Sequence, residues 1–151
     1  METKDWIQVL VELLGNGVIL AIFGTWLDFK MEKKEKKEEK RSEIIQSFLA
    51  ELVKLNKSLI MVNHTVQFKK IKNSNEIMNL LEEHVLKQWV EIISIYDTYS
   101  YDLKEFEPFY NNMEQAWYNF TQQTTAEMLG KALQDFKEGN KELITKIRKK
   151  Y

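Results

Sequence analysis

Phe48-Leu-Ala-Glu-Leu52-Val-Lys-Leu55-Asn-Lys-Ser-Leu59-Ile-Met-Val62-Asn-His-Thr-Val66 places apolar residues at successive spacings of 4, 3, 4, 3 and 4. That is a helical period, because steps of three and four residues return to the same side of an α-helix. The seam Phe48, Leu52, Leu55, Leu59, Val62 and Val66, flanked by Ile45 and Leu49, is a heptad strip suited to pairing with another helix. From the sequence alone, that helix can belong to the same chain or to a neighbour.

Downstream, Lys72-Asn73-Ser74-Asn75 is expected to end this helix, with Ser74 or Asn75 capping the next. Ile77, Met78, Leu81, Val85, Trp89, Ile92, Ile93, Tyr96 and Tyr99 mark one broad side of a second helix. Asp102 to Pro108 reads as a turn, with Pro108 suited to the first position of a third. Phe109, Met113, Ala116, Trp117, Phe120 and Thr124 follow at helical spacing, and Met128, Leu129, Leu133 and Phe136 extend the same helix. Gly139-Asn140 is expected to stop it, leaving Leu143, Ile144 and Ile147 for a closing segment with a basic tail. No stretch alternates as a strand does. Residues 42–151 are therefore expected to form an all-α bundle of about four helices.

Upstream, Trp6 to Phe29 is long enough to span a bilayer as a single N-terminal transmembrane helix. Twenty residues separate Trp6 from Trp26, about 30 Å at ~1.5 Å per residue, and tryptophans favour both membrane interfaces. Twelve Leu, Ile, Val and Phe lie between 6 and 27; they should favour insertion by about 4 to 7 kcal/mol. Glu12 opposes it by at most about 3 kcal/mol. A cleaved leader is not expected, since the apolar run is too long and no basic region precedes it.

Gln8, Glu12 and Asn16 recur every fourth residue and form one polar stripe. Gly17, Ala21 and Gly24, with Thr25, cluster roughly opposite and would allow close helix approach. A ring of such helices, each using one face to either side, could line a pore with the polar stripe. The alternatives are Gln8 and Glu12 snorkelling to the outer interface, or a different membrane partner.

Charge is uneven. Residues 1–29 carry one Lys against four acids, −3; residues 30–41 carry seven Lys/Arg against four Glu, +3; the rest comes to −1. The cations are Lys30, Lys33, Lys34, Lys36, Lys37, Lys40 and Arg41, and the positive-inside rule puts them, with the helical domain, in the cytoplasm. The N-terminus is then outside. The run 30–41 has no apolar face and reads as a solvated stalk, or as a stretch near lipid headgroups. A basic patch this local does not suit a nucleic-acid binder, and no nucleic acid is expected.

No cofactor and no metal is expected. The chain has no cysteine, and His64 and His84 lack companions at ligand spacing. No phosphate loop, nucleophile elbow or dinucleotide fingerprint occurs, so no catalytic residue is assigned and an enzyme is not expected. Neither Arg41 nor Arg148 is followed within six residues by His, so the Arg-x(4–6)-His ribonuclease motif of HEPN domains is absent.

An anchor at Trp6–Phe29 with a polar stripe, a charged stalk, and a Lys/Glu/Asn-rich helical region after Ser42 resembles small membrane effectors of bacterial antiphage defence. The layout is similar to the membrane-pore accessory protein of type VI-B CRISPR systems, a ring of single-pass subunits with HEPN-like cytoplasmic domains. The resemblance covers the whole chain as architecture, without a diagnostic motif. It implies a homo-oligomeric pore in the bacterial inner membrane, with Gln8, Glu12 and Asn16 as lining residues. The competing expectation is a non-pore tether or phage exclusion protein whose helical domain binds another protein, using the Phe48–Val66 seam.

Overall fold

The computed structural model describes residues 18–151. All regular structure among them is helical, with no strand. The chain divides into two compact units, Met1–Ser42 and Glu43–Tyr151.

The first helix, α1, runs Val18–Phe68. No Gly or Pro occurs after Gly24 until Pro108, so nothing in the chain breaks the ladder of backbone bonds. The helix stops by backbone geometry rather than at the expected Asn/Ser cluster. Lys70 adopts φ 50, its N–H donates to the Gln67 carbonyl at 3.3 Å, and the Ile71 N–H donates to the Val66 carbonyl at 3.0 Å. This is a Schellman end, with Lys70 in the left-handed position usually held by glycine. Ile71 and Val66 both pack on the core, the hydrophobic contact that accompanies the motif.

Asn73 caps the next helix, its side-chain oxygen accepting from the Asn75 N–H at 2.9 Å. Helix α2, Ser74–Leu81, passes through a π turn at Glu82–Leu86 into α3, Lys87–Thr98, without leaving right-handed helical geometry. A 3-10 turn, Lys104–Phe106, leads into α4, Glu107–Thr121, with Pro108 in its first turn as expected. Thr125 caps the last helix, α5, Ala126–Lys150, by accepting from the Met128 N–H at 3.3 Å.

Two further boundaries differ from the sequence reading. A break falls at Gln122–Thr125, inside what reads as one apolar-periodic helix. The Thr125 cap and Glu127 in the first turn outweigh that periodicity locally. Conversely, α5 runs straight through Gly139-Asn140. Gly139 is there because α4 comes close: a Cβ added to it would sit 3.2 Å from Met113 Cγ and 3.7 Å from Met113 Cα. Asn140 is fully buried and donates from Nδ2 to the Leu52 carbonyl of α1 at 3.1 Å.

Within Glu43–Tyr151 the core is continuous. Phe48, Leu52, Leu55, Leu59 and Val62 of α1 are completely buried. They pack with the Leu81–Val85–Trp89–Ile92–Tyr96 face, with Tyr110, Met113 and Phe120 of α4, and with the Leu129-to-Ile147 face of α5. The heptad seam thus lies in the chain's own core, with Val66 partly buried at its end.

Among the described residues no helix is long and apolar enough to cross a membrane. In α1 the reason is charge: any 18-residue window starting near Val18 takes in Asp28, Lys30, Glu32 and Lys33. The transmembrane part of the expected fold therefore has no support in the described helices. Residues 6–17 of that expected span lie outside the described residues.

Candidate functional site

Of the residues expected to line or assemble the anchor, Gln8, Glu12, Asn16 and Gly17 lie outside the described residues. Ala21 and Gly24 fall in α1. A Cβ added to Gly24 would meet nothing within 4 Å among the described residues. Beyond it, large apolar side chains are on the surface: Trp26 is 50% exposed, Leu27 39%, Phe29 65% and Met31 59%. The Lys30 ammonium stands 4.6 Å from the Trp26 ring centroid, within range of a cation–π attraction.

The basic run follows directly. Lys30, Lys33, Lys34, Lys36, Lys37 and Lys40 are exposed and Arg41 is half-buried. Lys36 Nζ pairs with Glu32 Oε1 at 2.7 Å. The hydrogen bond, and then the charge, hold the Glu32 carboxyl below its ordinary range and the Lys36 ammonium above its own. Both groups are fully in water, so the pair adds little stability.

Glu43–Tyr151 carries its unusual chemistry inside. Trp89 stacks on Tyr110 with ring centroids 6.0 Å apart, meets Phe136 edge-on at 5.1 Å and leans on Trp117 at 6.0 Å. Tyr96 and Tyr110 stack at 3.6 Å. Three polar atoms in this unit, Trp89 Nε1, the Tyr110 hydroxyl and Asn140 Oδ1, are buried without a hydrogen-bond partner among the described residues. Periodicity identifies the rings as core residues; it cannot reveal that their polar atoms lack partners.

No family model, curated protein or solved structure matches this chain.

The surface offers shallow, mixed-charge grooves. One, about 340 Å³, runs beside Phe109 and is lined by Glu138, Lys141, Glu142, Lys146 and Lys149, with the Lys146 ammonium 5.2 Å from the Phe109 ring. Another, about 280 Å³, leads to Tyr96 past Tyr101, Lys104 and Glu107. The π turn carries His84, whose Nε2 lies 3.7 Å from Glu83 Oε2, and is followed by Gln88, which accepts from the Ser58 hydroxyl at 2.8 Å. Among the described residues no group of three or more His, Cys, Asp or Glu could hold a metal. Neither groove joins a nucleophile to a positioned base.

Burial raises the Tyr110 hydroxyl well above an ordinary tyrosine, aided by Glu114, Asp97 and Tyr96; burial, then Glu107, Glu114 and Asp97, raises Tyr96. Above about pH 10, where an unfolded tyrosine ionises, the native state keeps protons that the unfolded state has lost. Stability is therefore full below that pH and falls as pH rises, by up to about 1.4 kcal/mol per pH unit for Tyr110 and by less for Tyr96, whose hydroxyl is better solvated. Tyr110→Phe should flatten part of this fall, leaving the Tyr96 part, while costing little at neutral pH because the hydroxyl lacks a partner. Urea melts at about pH 8 and about pH 11 would measure it; an unchanged alkaline slope in the variant would refute the assignment.

Proposed function

We propose that the protein is an oligomeric, membrane-bound effector that lets ions through the bilayer or disrupts it. In this reading residues 6–29 cross the bacterial inner membrane with the N-terminus outside. Residues 30–41 lie at headgroup level, and the helical unit Glu43–Tyr151 is held on the cytoplasmic side. The crossing length comes from residues 6–17 joined to the apolar start of α1. The observation that supports the reading best is the collar of exposed Trp26, Leu27, Phe29 and Met31, with Lys30 over the Trp26 ring, directly before the cationic run. Glu43–Tyr151 buries Trp89, Phe48, Phe106, Phe120 and Phe136, and its exposed Phe68, Tyr101 and Tyr118 stand apart from one another along the chain. Aromatic and basic residues in this order match the border between hydrocarbon and headgroups. The resemblance in layout supports antiphage defence as the setting. The tether alternative loses its best feature, because the seam it would use is buried in the chain's own core.

Full-length protein in bacterial membranes should resist carbonate extraction, whereas Leu10→Asp/Leu20→Asp should be released. Two aspartates in place of two leucines cost insertion about 6 kcal/mol. Reconstituted vesicles should pass ions, and Glu12→Leu should change the flux. Release of the wild type by carbonate would overturn membrane insertion; a firmly inserted protein that passes no ions would overturn the pore and favour the tether.

A further inference from the structure

Residues 24–41 lie wholly within helix α1, and helical geometry sorts their charges. Counted at 100° per residue, Asp28, Glu32, Glu35, Glu38 and Glu39 share an arc of about 120° with Gly24. Lys30, Lys33, Lys34, Lys37, Lys40 and Arg41 share a second arc of about 120°, nearly opposite the first, with Trp26 at its N-terminal end. Lys36 alone falls between the arcs, where it pairs with Glu32. As a linear sequence the run is a mixture of signs. As a helix it has one acidic side and one basic side.

We infer that these two arcs are the contact surface between copies of this chain, the basic arc of one α1 docking on the acidic arc of the next, side by side and parallel. This deepens the oligomeric reading above and rests on it. Charge complementarity argues for a second copy over an anionic lipid surface. Lipid headgroups would attract the basic arc, but the five carboxylates across the helix would be repelled or left in solvent. A parallel neighbour uses both arcs at the same height along the helix, and each copy keeps one arc for the neighbour on either side. Shape agrees with charge. The acidic arc begins at Gly24, where an added Cβ would touch nothing among the described residues, while the basic arc begins at Trp26, a large ring half exposed. A bulky residue on one face and the smallest on the other let neighbouring backbones approach.

The test is the mass of the full-length protein in neutral detergent without anionic lipid, by light scattering. Far-UV circular dichroism should confirm that each variant stays helical. Lys33→Glu/Lys37→Glu lowers the basic arc from +6 to +2, and Glu35→Lys/Glu39→Lys lowers the acidic arc from −5 to −1. Each should weaken assembly about tenfold or more, because attraction is lost and repulsion gained at two positions. Mixing the two variants should restore pairing between unlike copies, since the unaltered acidic arc of one meets the unaltered basic arc of the other. An oligomer whose mass neither variant changes would overturn the proposal while leaving assembly through other residues standing. The lipid explanation would replace it if Lys33→Glu/Lys37→Glu kept its mass but lost binding to phosphatidylserine vesicles. A wild type that is monomeric yet resists carbonate extraction would overturn both this contact and the oligomeric reading, leaving membrane insertion intact.

Discussion

Leu55→Asp should abolish the folded state of the helical unit. Leu55 is completely buried in the middle of the α1 seam, between Leu52 and Leu59, which are equally inaccessible. The change removes an apolar side chain worth about 2–3 kcal/mol. It also places a carboxylate among hydrocarbon with no cation to answer it, at a further cost of several kcal/mol. Domains of this size are stable by about 5–15 kcal/mol, so the two losses together consume most or all of the margin. Lys54→Asp, one residue away and exposed, is the control and should leave stability nearly unchanged. Thermal melts followed by circular dichroism would separate the two. If Leu55→Asp melted like wild type, the seam could not be the core of its own chain and would have to be a contact between subunits.

The second large effect is expected at Asn140, the one polar residue among the fully buried described side chains. Its Nδ2 donates to the Leu52 carbonyl, and its Oδ1 has no partner among the described residues. Asn140→Asp replaces the donor with a second oxygen facing a carbonyl and adds an uncompensated charge, a loss of about 3–5 kcal/mol at neutral pH. Burial would raise the new carboxyl above the unfolded value of about 3.9. The variant would then be most stable below that pH, where the group is neutral in both states, and would lose stability as pH rises. Asn140→Leu, close in volume, should cost far less, because it removes both the unpartnered oxygen and the amide it belongs to. Urea melts at about pH 4 and about pH 7 would test both variants; equal stability of the Asp variant at the two pH values would show that residue 140 is reached by water.

Both predictions concern residues that sequence reading treated differently. Leu55 was legible: a seam repeating every three or four residues over five turns has only one regular structure that buries it. The helical character of 74–98 and the entry at Pro108 were legible for the same local reasons. Gly139-Asn140 was misleading because its residues suit a helix end by propensity. Propensity is worth about 1 kcal/mol per residue, and here it yields to the approach of Met113 and the bond to Leu52. Both partners are distant in sequence, so no local pattern announces them. Thr125 was the reverse case. Its cap signal was present in the chain, masked by apolar residues that keep helical spacing across the break. Lys70 gave no signal at all, since lysine does not mark a left-handed position; the Schellman end is imposed by Ile71 and Val66 packing on the core.

What the sequence determined by itself is the helical class, the apolar faces and the charge content of residues 30–41, because each depends only on neighbours three or four positions apart. Which faces meet was decided by tertiary structure. The heptad seam could have served a partner helix equally well, and it is intramolecular because Glu43–Tyr151 supplies enough apolar surface to cover all of it but Val66 at its end. The same physics explains the unpartnered Trp89, Tyr110 and Asn140 atoms: close packing of large rings in one core fixes their positions more strongly than a hydrogen bond worth about 1 kcal/mol can redirect them.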